Sequence, residues 1–438
     1  MTGWSARLAR GAGALAIVET AGLAVGYVSQ ILFARWMGPH EYGTYAYVIG
    51  WASVLAALPT LGLPDAILRF VPEYAARRDW RRLRGVIRAS WRISLVAGSA
   101  SALGGTAVVL ALDLIRPFDA WRPMVLGVCM APLLGLVGLQ TALARGLRQV
   151  AAAYAPGALL RPLLVVIGAY LLVRAGHGLT SLMLLGAGLA ILPLVLLVQL
   201  GVFRAALPSG VPEARPEYDT RAWLAVAFPA LLATGASLAV SQAGLLVVGA
   251  VAGPVDAGLY YAAARTATLM AVVLAVTNAV GAPHFAVLHA QGDRDALQAL
   301  TSAITQWSFW SSVAIAIGLV LLAEPLLALF GRAFVAARLV LAVLAVGQLV
   351  NTGVGPVGTL LNMTGHHRAM LRVTAWMAVA TLALTVAAVL VLGLIGAALA
   401  AASIMVAHNV WLHRIVRREL GIDTSILRPL ADARRRPR

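Results

Sequence analysis

Gly38-Pro39-His40-Glu41-Tyr42-Gly43-Thr44-Tyr45 and Gly253-Pro254-Val255-Asp256-Ala257-Gly258-Leu259-Tyr260 share the pattern G-P-x-[ED]-x-G-x-Y, 215 residues apart in a chain of 438. Each copy lies between two long apolar segments. Glycine ends one helix and proline cannot continue it. The acid then falls in the first turn of the next helix, against its positive dipole end. The offset is almost half the chain, and it also maps Gly178-Leu179 onto Gly393-Leu394. The pattern predicts a duplicated six-helix unit, the architecture of many secondary transporters.

Composition names the solvent. Hydrophobic residues make up 61% and charged residues 12%, against soluble averages of about 45–50% and about 25%. Runs such as 93–112, 123–144, 178–203, 222–255, 296–323 and 339–365 contain no Asp, Glu or Arg. A bilayer-crossing helix needs about 20 such residues. Twelve spans are expected: 12–36, 42–63, 86–112, 123–144, 154–173 and 178–203 in the first half, then 222–251, 257–282, 296–322, 339–362, 372–392 and 394–413. The fold class is therefore all-α, a polytopic membrane protein. Residues 1–203 form an N-terminal lobe, 204–221 a Pro-rich cytoplasmic linker, 222–418 a C-terminal lobe and 419–438 a basic cytoplasmic tail.

All 34 basic residues are arginine. Of these, 27 fall on the side of the N-terminus, six on the other side, and Arg265 falls inside a span. The positive-inside rule then places both termini in the cytoplasm of a cell whose cytoplasmic membrane holds the protein. The net charge of +17 follows from that topology; the expected neighbours are anionic membrane lipids rather than nucleic acid. The first apolar stretch continues past Glu19 to Trp36 and reads as a retained helix rather than a cleaved leader. The single Cys129 excludes a disulfide framework within one chain.

The absence of lysine excludes a Walker A site, a Schiff base and a Ser-Lys nucleophile. His366-His367, His284/His289 and His408/His413 lack the spacing of a helical metal site, so no metal and no cofactor is expected. Asp293-Arg294-Asp295 has the form of a metal-sugar-nucleotide triplet, but it opens a helix, where acids act as caps. The first-half counterpart, Arg78-Asp79-Trp80, lacks the second acid. No catalytic residue is assigned and the chain reads as a transporter, not an enzyme.

Phe33-Ala34-Arg35-Trp36-Met37-Gly38-Pro39-His40-Glu41-Tyr42-Gly43-Thr44-Tyr45 resembles the end of the first helix in the polysaccharide transporter family, the Wzx-type flippases. Gly393-Leu394-Ile395-Gly396-Ala397-Ala398-Leu399-Ala400 resembles that family's turn into its last helix. The resemblance covers nearly the whole chain through span number, spacing and duplication. It points to the wider multidrug/oligosaccharidyl-lipid/polysaccharide exporter superfamily more firmly than to one branch. It implies two pseudo-symmetric six-helix lobes around a central cavity that opens alternately to each side. The implied cargo is an oligosaccharide on a polyprenyl diphosphate, moved from the inner to the outer leaflet for surface polysaccharide biosynthesis. A polysaccharide polymerase and glycosyltransferases would be its partners. A cation-coupled multidrug exporter is the alternative, and a membrane-embedded glycosyltransferase using Asp293 and Asp295 is the second.

Several residues fit such a cavity. Glu19 lies nine residues past Arg10 and Arg265 nine past Asp256, so each sits ~13 Å along its helix. An unpaired charge at that depth costs at least about 2.5–3.5 kcal/mol and faces protein or water. Tyr261, one turn before Arg265, can stack beneath the guanidinium or meet a sugar. Arginine's planar fork suits a diphosphate. The expected substrate-binding set is Arg265, Tyr261, Arg161, Gln30 and Asn278, with Glu19 as the coupling residue. Gln140, Gln242 and Asn351 are lesser candidates.

Overall fold

The computed structural model describes residues 3–147, 149 and 154–428, with side chains from residue 18 onward apart from 19, 279, 367 and 368. The described residues are helices, turns and irregular connections. The first unit runs to Gln242 and the second begins at Ala243. The border falls inside one continuous helix, Thr220–Val251.

The first unit contains α1 (Gly3–Leu55), α2 (Ala57–Thr60), α3 (Leu63–Ala76), α4 (Trp80–Ile115), α5 (Trp121–Gly146), a π-turn (Pro156–Leu160), α6 (Arg161–Arg174), α7 (Ser181–Ala205), α8 (Gly210–Glu213) and the start of α9 (Thr220–Val251). The second contains the rest of α9, α10 (Pro254–Ala267), α11 (Ala271–Gln291), α12 (Arg294–Leu321), α13 (Ala323–Ala328), α14 (Arg338–Val354), α15 (Val357–Met363) and α16 (His367–Leu420). Among the described residues nine helices are long and apolar enough to cross a membrane, or up to ten if the bent pair around Gly62 is one span. α1 and α16 each continue across a single non-helical glycine, Gly38 and Gly393. The protein is an all-α polytopic membrane protein.

The duplication extends to backbone conformation. Gly38 has φ 73°, ψ 174° and Gly253 φ 93°, ψ 179°, a region open essentially to glycine alone. Before α4, Arg78 is left-handed at φ 56° and Asp79 follows at φ −81°, ψ 76°. Before α12, Gly292 is left-handed at φ 72° and Asp293 follows at φ −80°, ψ 85°. Asp79 accepts from Arg82 N at 3.1 Å, and Asp293 from Ala296 N at 2.9 Å. Asp293 is thus a helix cap, as its position predicts.

Each unit is built on its fourth long segment. In the first, α5 packs against α1, α3, α4 and α7; in the second, α14 packs against α10, α12 and α16. Small residues make α5 a hub: a side chain at Gly135 would approach the Ala56 carbonyl, and one at Gly146 would approach Val71. Close approach of this kind replaces hydrophobic driving force inside a bilayer.

The motif acid acts differently from its sequence expectation in the first copy. Glu41 reaches across to Ser181, accepting from its backbone N and its Oγ, both at 2.6 Å. It thereby caps α7 rather than only offsetting its own helix dipole, because α7 begins beside the turn at Gly38. In the second copy Asp256 stands in the first turn of α10.

Two connections are tightly packed. Residues 204–221 lie along α4: Arg82 Nε is 3.0 Å from Glu217 Oε1, Glu217 N donates to the Arg81 carbonyl, and Arg84 donates to the Ala214 carbonyl. After α16 the chain folds back on the second unit. Gln298 pairs with the Asp423 backbone in both directions, at 2.7 and 2.8 Å. Thr305 donates to the Thr424 carbonyl and Ile426 N to the Gly353 carbonyl. Ile422 and Thr424 are buried.

Asp423 gives this strap a pH dependence. Burial pushes its carboxyl up, but the Ser425 N–H and hydroxyl, His413 and Arg417 outweigh that and hold it below the usual value. The folded carboxyl is the stronger acid, so its stabilisation is present above the ordinary pKa of about 3.9 and is lost as pH falls below it. Amide exchange at 421–426 is expected to accelerate on acidification, relative to exchange in α14 after correction for intrinsic rates. Asp423→Asn should remove the acid-dependent part. A pH response unchanged in that variant would show that another group controls the strap.

Candidate functional site

The strongest polar feature within a span is in the second unit. Arg265 occupies the last turn of α10, which gives way to a 3₁₀ turn at Thr268–Met270 before α11 begins. Such a break near mid-helix commonly marks a functional position. Arg265 Nη2 donates to Tyr261 Oη at 2.6 Å, and its guanidinium carbon is 4.8 Å from the ring centroid. Tyr261 is buried while Arg265 is exposed. A fixed aromatic base therefore carries an accessible cation. The helix terminus supports the charge, because the C-terminal carbonyl end is the negative pole. Thr268 Oγ1 also donates to the Arg265 carbonyl at 2.6 Å.

The structure thus brings Arg265 and Tyr261 together. Asn278 lies thirteen residues beyond Arg265, about 20 Å along the helix. Its side-chain oxygen is buried and without a hydrogen-bond partner. Gln30 accepts from Tyr42 Oη at 3.2 Å, joining the arms of α1 on either side of Gly38. Arg161 is the first residue of α6, directly after the π-turn. That turn lies against α1: a side chain at Gly22 would meet Ala158. The backbone of Glu19 is three residues before this contact, but its side chain lies outside the described residues. Among the lesser candidates, Gln140 accepts from Trp91 Nε1 at 3.2 Å and Asn351 donates to Gln348 at 3.2 Å. These are interhelical and local ties of the kind that hold membrane bundles together.

Sequence reading missed Asp65. It sits in the first turn of α3, exposed, where Thr234 of α9 donates to Oδ2 at 3.3 Å. The Arg145 guanidinium adds a longer-range attraction. Gly62-Leu63-Pro64-Asp65 carried a signal, since Pro and an acid just after a left-handed glycine announce a new helix. Among the described residues no three His, Cys, Asp or Glu side chains are grouped to hold a metal.

The family model described as polysaccharide biosynthesis protein matches residues 8–289, more than half of the chain. The chain belongs to that family. Its fold is similar to that of a multidrug resistance MATE family transporter of the MOP superfamily in an inward-facing conformation, with a TM-score of 0.76, 14% identity, and 93% of this chain and 98% of that one covered. MATE in complex with MaL6 gives 0.65 at 16% identity over 94% and 96% of the two chains. A MOP superfamily transporter from Pyrococcus furiosus, whose report links a reversed polarity of its binding pocket to a different function, gives 0.65 at 13% identity over 94% and 95%. No curated protein matches the chain. The polysaccharide biosynthesis family member described here thus shares its fold with solved membrane transporters.

Proposed function

We propose that this transporter flips a polyprenyl-diphosphate-linked oligosaccharide from the inner to the outer leaflet of the cytoplasmic membrane, by alternating access, for surface polysaccharide biosynthesis. It has twelve spans when the arms on either side of Gly38 and of Gly393 count separately, and both termini are cytoplasmic. The 1–203 and 222–418 lobes are joined by the 204–221 linker, and 419–438 is the basic tail.

One observation carries the cargo assignment: an arginine stacked on a buried tyrosine at the break of a membrane helix, in a chain of the polysaccharide biosynthesis family. The guanidinium attracts a diphosphate and repels the lipophilic cations that a drug exporter would carry. The aromatic ring offers a sugar an apolar face. Arg161, Gln30 and Asn278 belong to the proposed lining of the same route. A polymerase and glycosyltransferases act before and after the flip.

A deletion strain should accumulate lipid-linked repeat units reachable only from the cytoplasmic face, and the wild-type gene should restore them to the outside. Unchanged sidedness together with hypersensitivity to cationic drugs would give the function to the exporter reading. For coupling, Glu19→Gln fixes the neutral form of the carboxyl and should abolish the pH dependence of transport in vesicles. Full pH dependence in that variant would remove Glu19 from coupling.

A further inference from the structure

A second site lies apart from Arg265, along α14 and α16. A groove of 390 Å³ is lined by Val346, Gly347, Val350, Ala402, Val406 and Val410 among its eight residues. It shares Ala407 and Val410 with a groove of 460 Å³ that continues to Trp411, Arg414, Ile415 and Arg418. The floor is set by close helix approach, because a side chain at Gly347 would come 2.9 Å from Ala402 Cβ. Ser403, Ala407, Trp411, Arg414 and Arg418 form one exposed stripe on α16. The stripe passes from apolar, through a tryptophan, to two cations one turn apart.

We infer that this groove binds one anionic glycerophospholipid of the leaflet facing the C-terminal end of α16, its acyl chain against Val346, Val350, Val406 and Val410 and its phosphate on Arg414 and Arg418. Depth supports that occupant. Ser403 and Arg414 are eleven residues apart, about 16 Å on a helix, close to half of a hydrocarbon core of about 30 Å. The groove therefore fits one leaflet. Trp411 stands where apolar wall meets basic rim, the position tryptophan favours at membrane interfaces. Charge points the same way. Of the two acids nearest the end of α16, Glu419 is exposed beside Arg418, and Asp423 is engaged by Ser425, His413 and Arg417. Among the described residues neither Arg414 nor Arg418 has a carboxylate within 4.0 Å. The site does not depend on the identity of the transported cargo.

The test is native mass spectrometry of the delipidated full-length protein titrated with phosphatidylglycerol or phosphatidylcholine. Wild type should retain the anionic lipid preferentially. The Arg414→Gln/Arg418→Gln protein should bind it about thirty-fold more weakly, five- to six-fold per arginine, with phosphatidylcholine binding unchanged. Ala407→Phe fills the groove and keeps both cations, so it should weaken phosphatidylglycerol binding at least about tenfold. Equal affinity for the two lipids, or unchanged binding in either variant, would overturn the site. Loss in the arginine variant alone would reduce it to a diffuse basic surface. Displacement of phosphatidylglycerol by a stoichiometric amount of undecaprenyl diphosphate would assign the groove to the cargo instead and equally overturn it.

Discussion

Gly62→Ala is expected to destabilise the protein by about 2–5 kcal/mol, the sum of about 1–2 for a left-handed residue and about 1–3 for overpacking. Gly62 sits at φ 75° between α2 and α3, where a Cβ would collide with the carbonyl oxygen of Ala227 and come 2.7 Å from Leu231 N. Both are backbone atoms of α9, so no side-chain rotation relieves the clash. The same contact is held nearby by a buried hydrogen bond from Trp223 Nε1 to Tyr74 Oη, 3.1 Å long. Thermal melting in detergent should fall by many degrees, with lower membrane abundance. Gly104→Ala is the control: it is helical with nothing within 4 Å of the added methyl, so it should be neutral or stabilising by up to about 1 kcal/mol. Equal melting of Gly62→Ala and wild type would mean that α9 does not approach α3 this closely.

Arg265→Ala is expected to lower transport by roughly ten- to hundredfold at normal membrane abundance, the range for losing a charged hydrogen-bonding group worth about 1.5–3 kcal/mol. Arg265→Lys keeps the charge but cannot present a planar fork to two phosphate oxygens, so it should recover only part of the activity. Tyr261→Phe retains the ring 4.8 Å below the guanidinium and removes the 2.6 Å hydrogen bond. Its effect should be smaller, about fivefold for a bond worth about 1 kcal/mol. The readout is outward delivery of lipid-linked oligosaccharide in vesicles of matched protein content. Full transport by the alanine variant would exclude Arg265 from the mechanism, and loss of the protein from the membrane would make the residue structural.

The site was partly legible in the sequence. Arg265 and Tyr261 stand one helical turn apart, so their meeting required no knowledge of the fold. The tie of Gln30 to Tyr42 across the Gly38 turn was not legible, because it depends on how the two arms of α1 meet. Asp65 was absent from the reading because its partner, Thr234, is 169 residues away.

What the sequence determined by itself is local. The glycines at 38 and 253 fix their turns because their shared backbone region admits almost no other residue. Asp79 and Asp293 cap the helices that follow them because a short acid can reach an amide three residues on. Long uncharged runs commit the chain to membrane helices because a bilayer leaves backbone groups no partner but the helix itself. The tertiary structure alone decided that Glu41 caps α7 at Ser181, that Glu217 holds the 204–221 segment to α4, and that Gln298 clasps the strap at Asp423. The reason lies in the solvent. Helices that are apolar on every side carry no stripe marking their inward face, so which residues meet across helices is set by close packing of glycine and alanine surfaces in three dimensions.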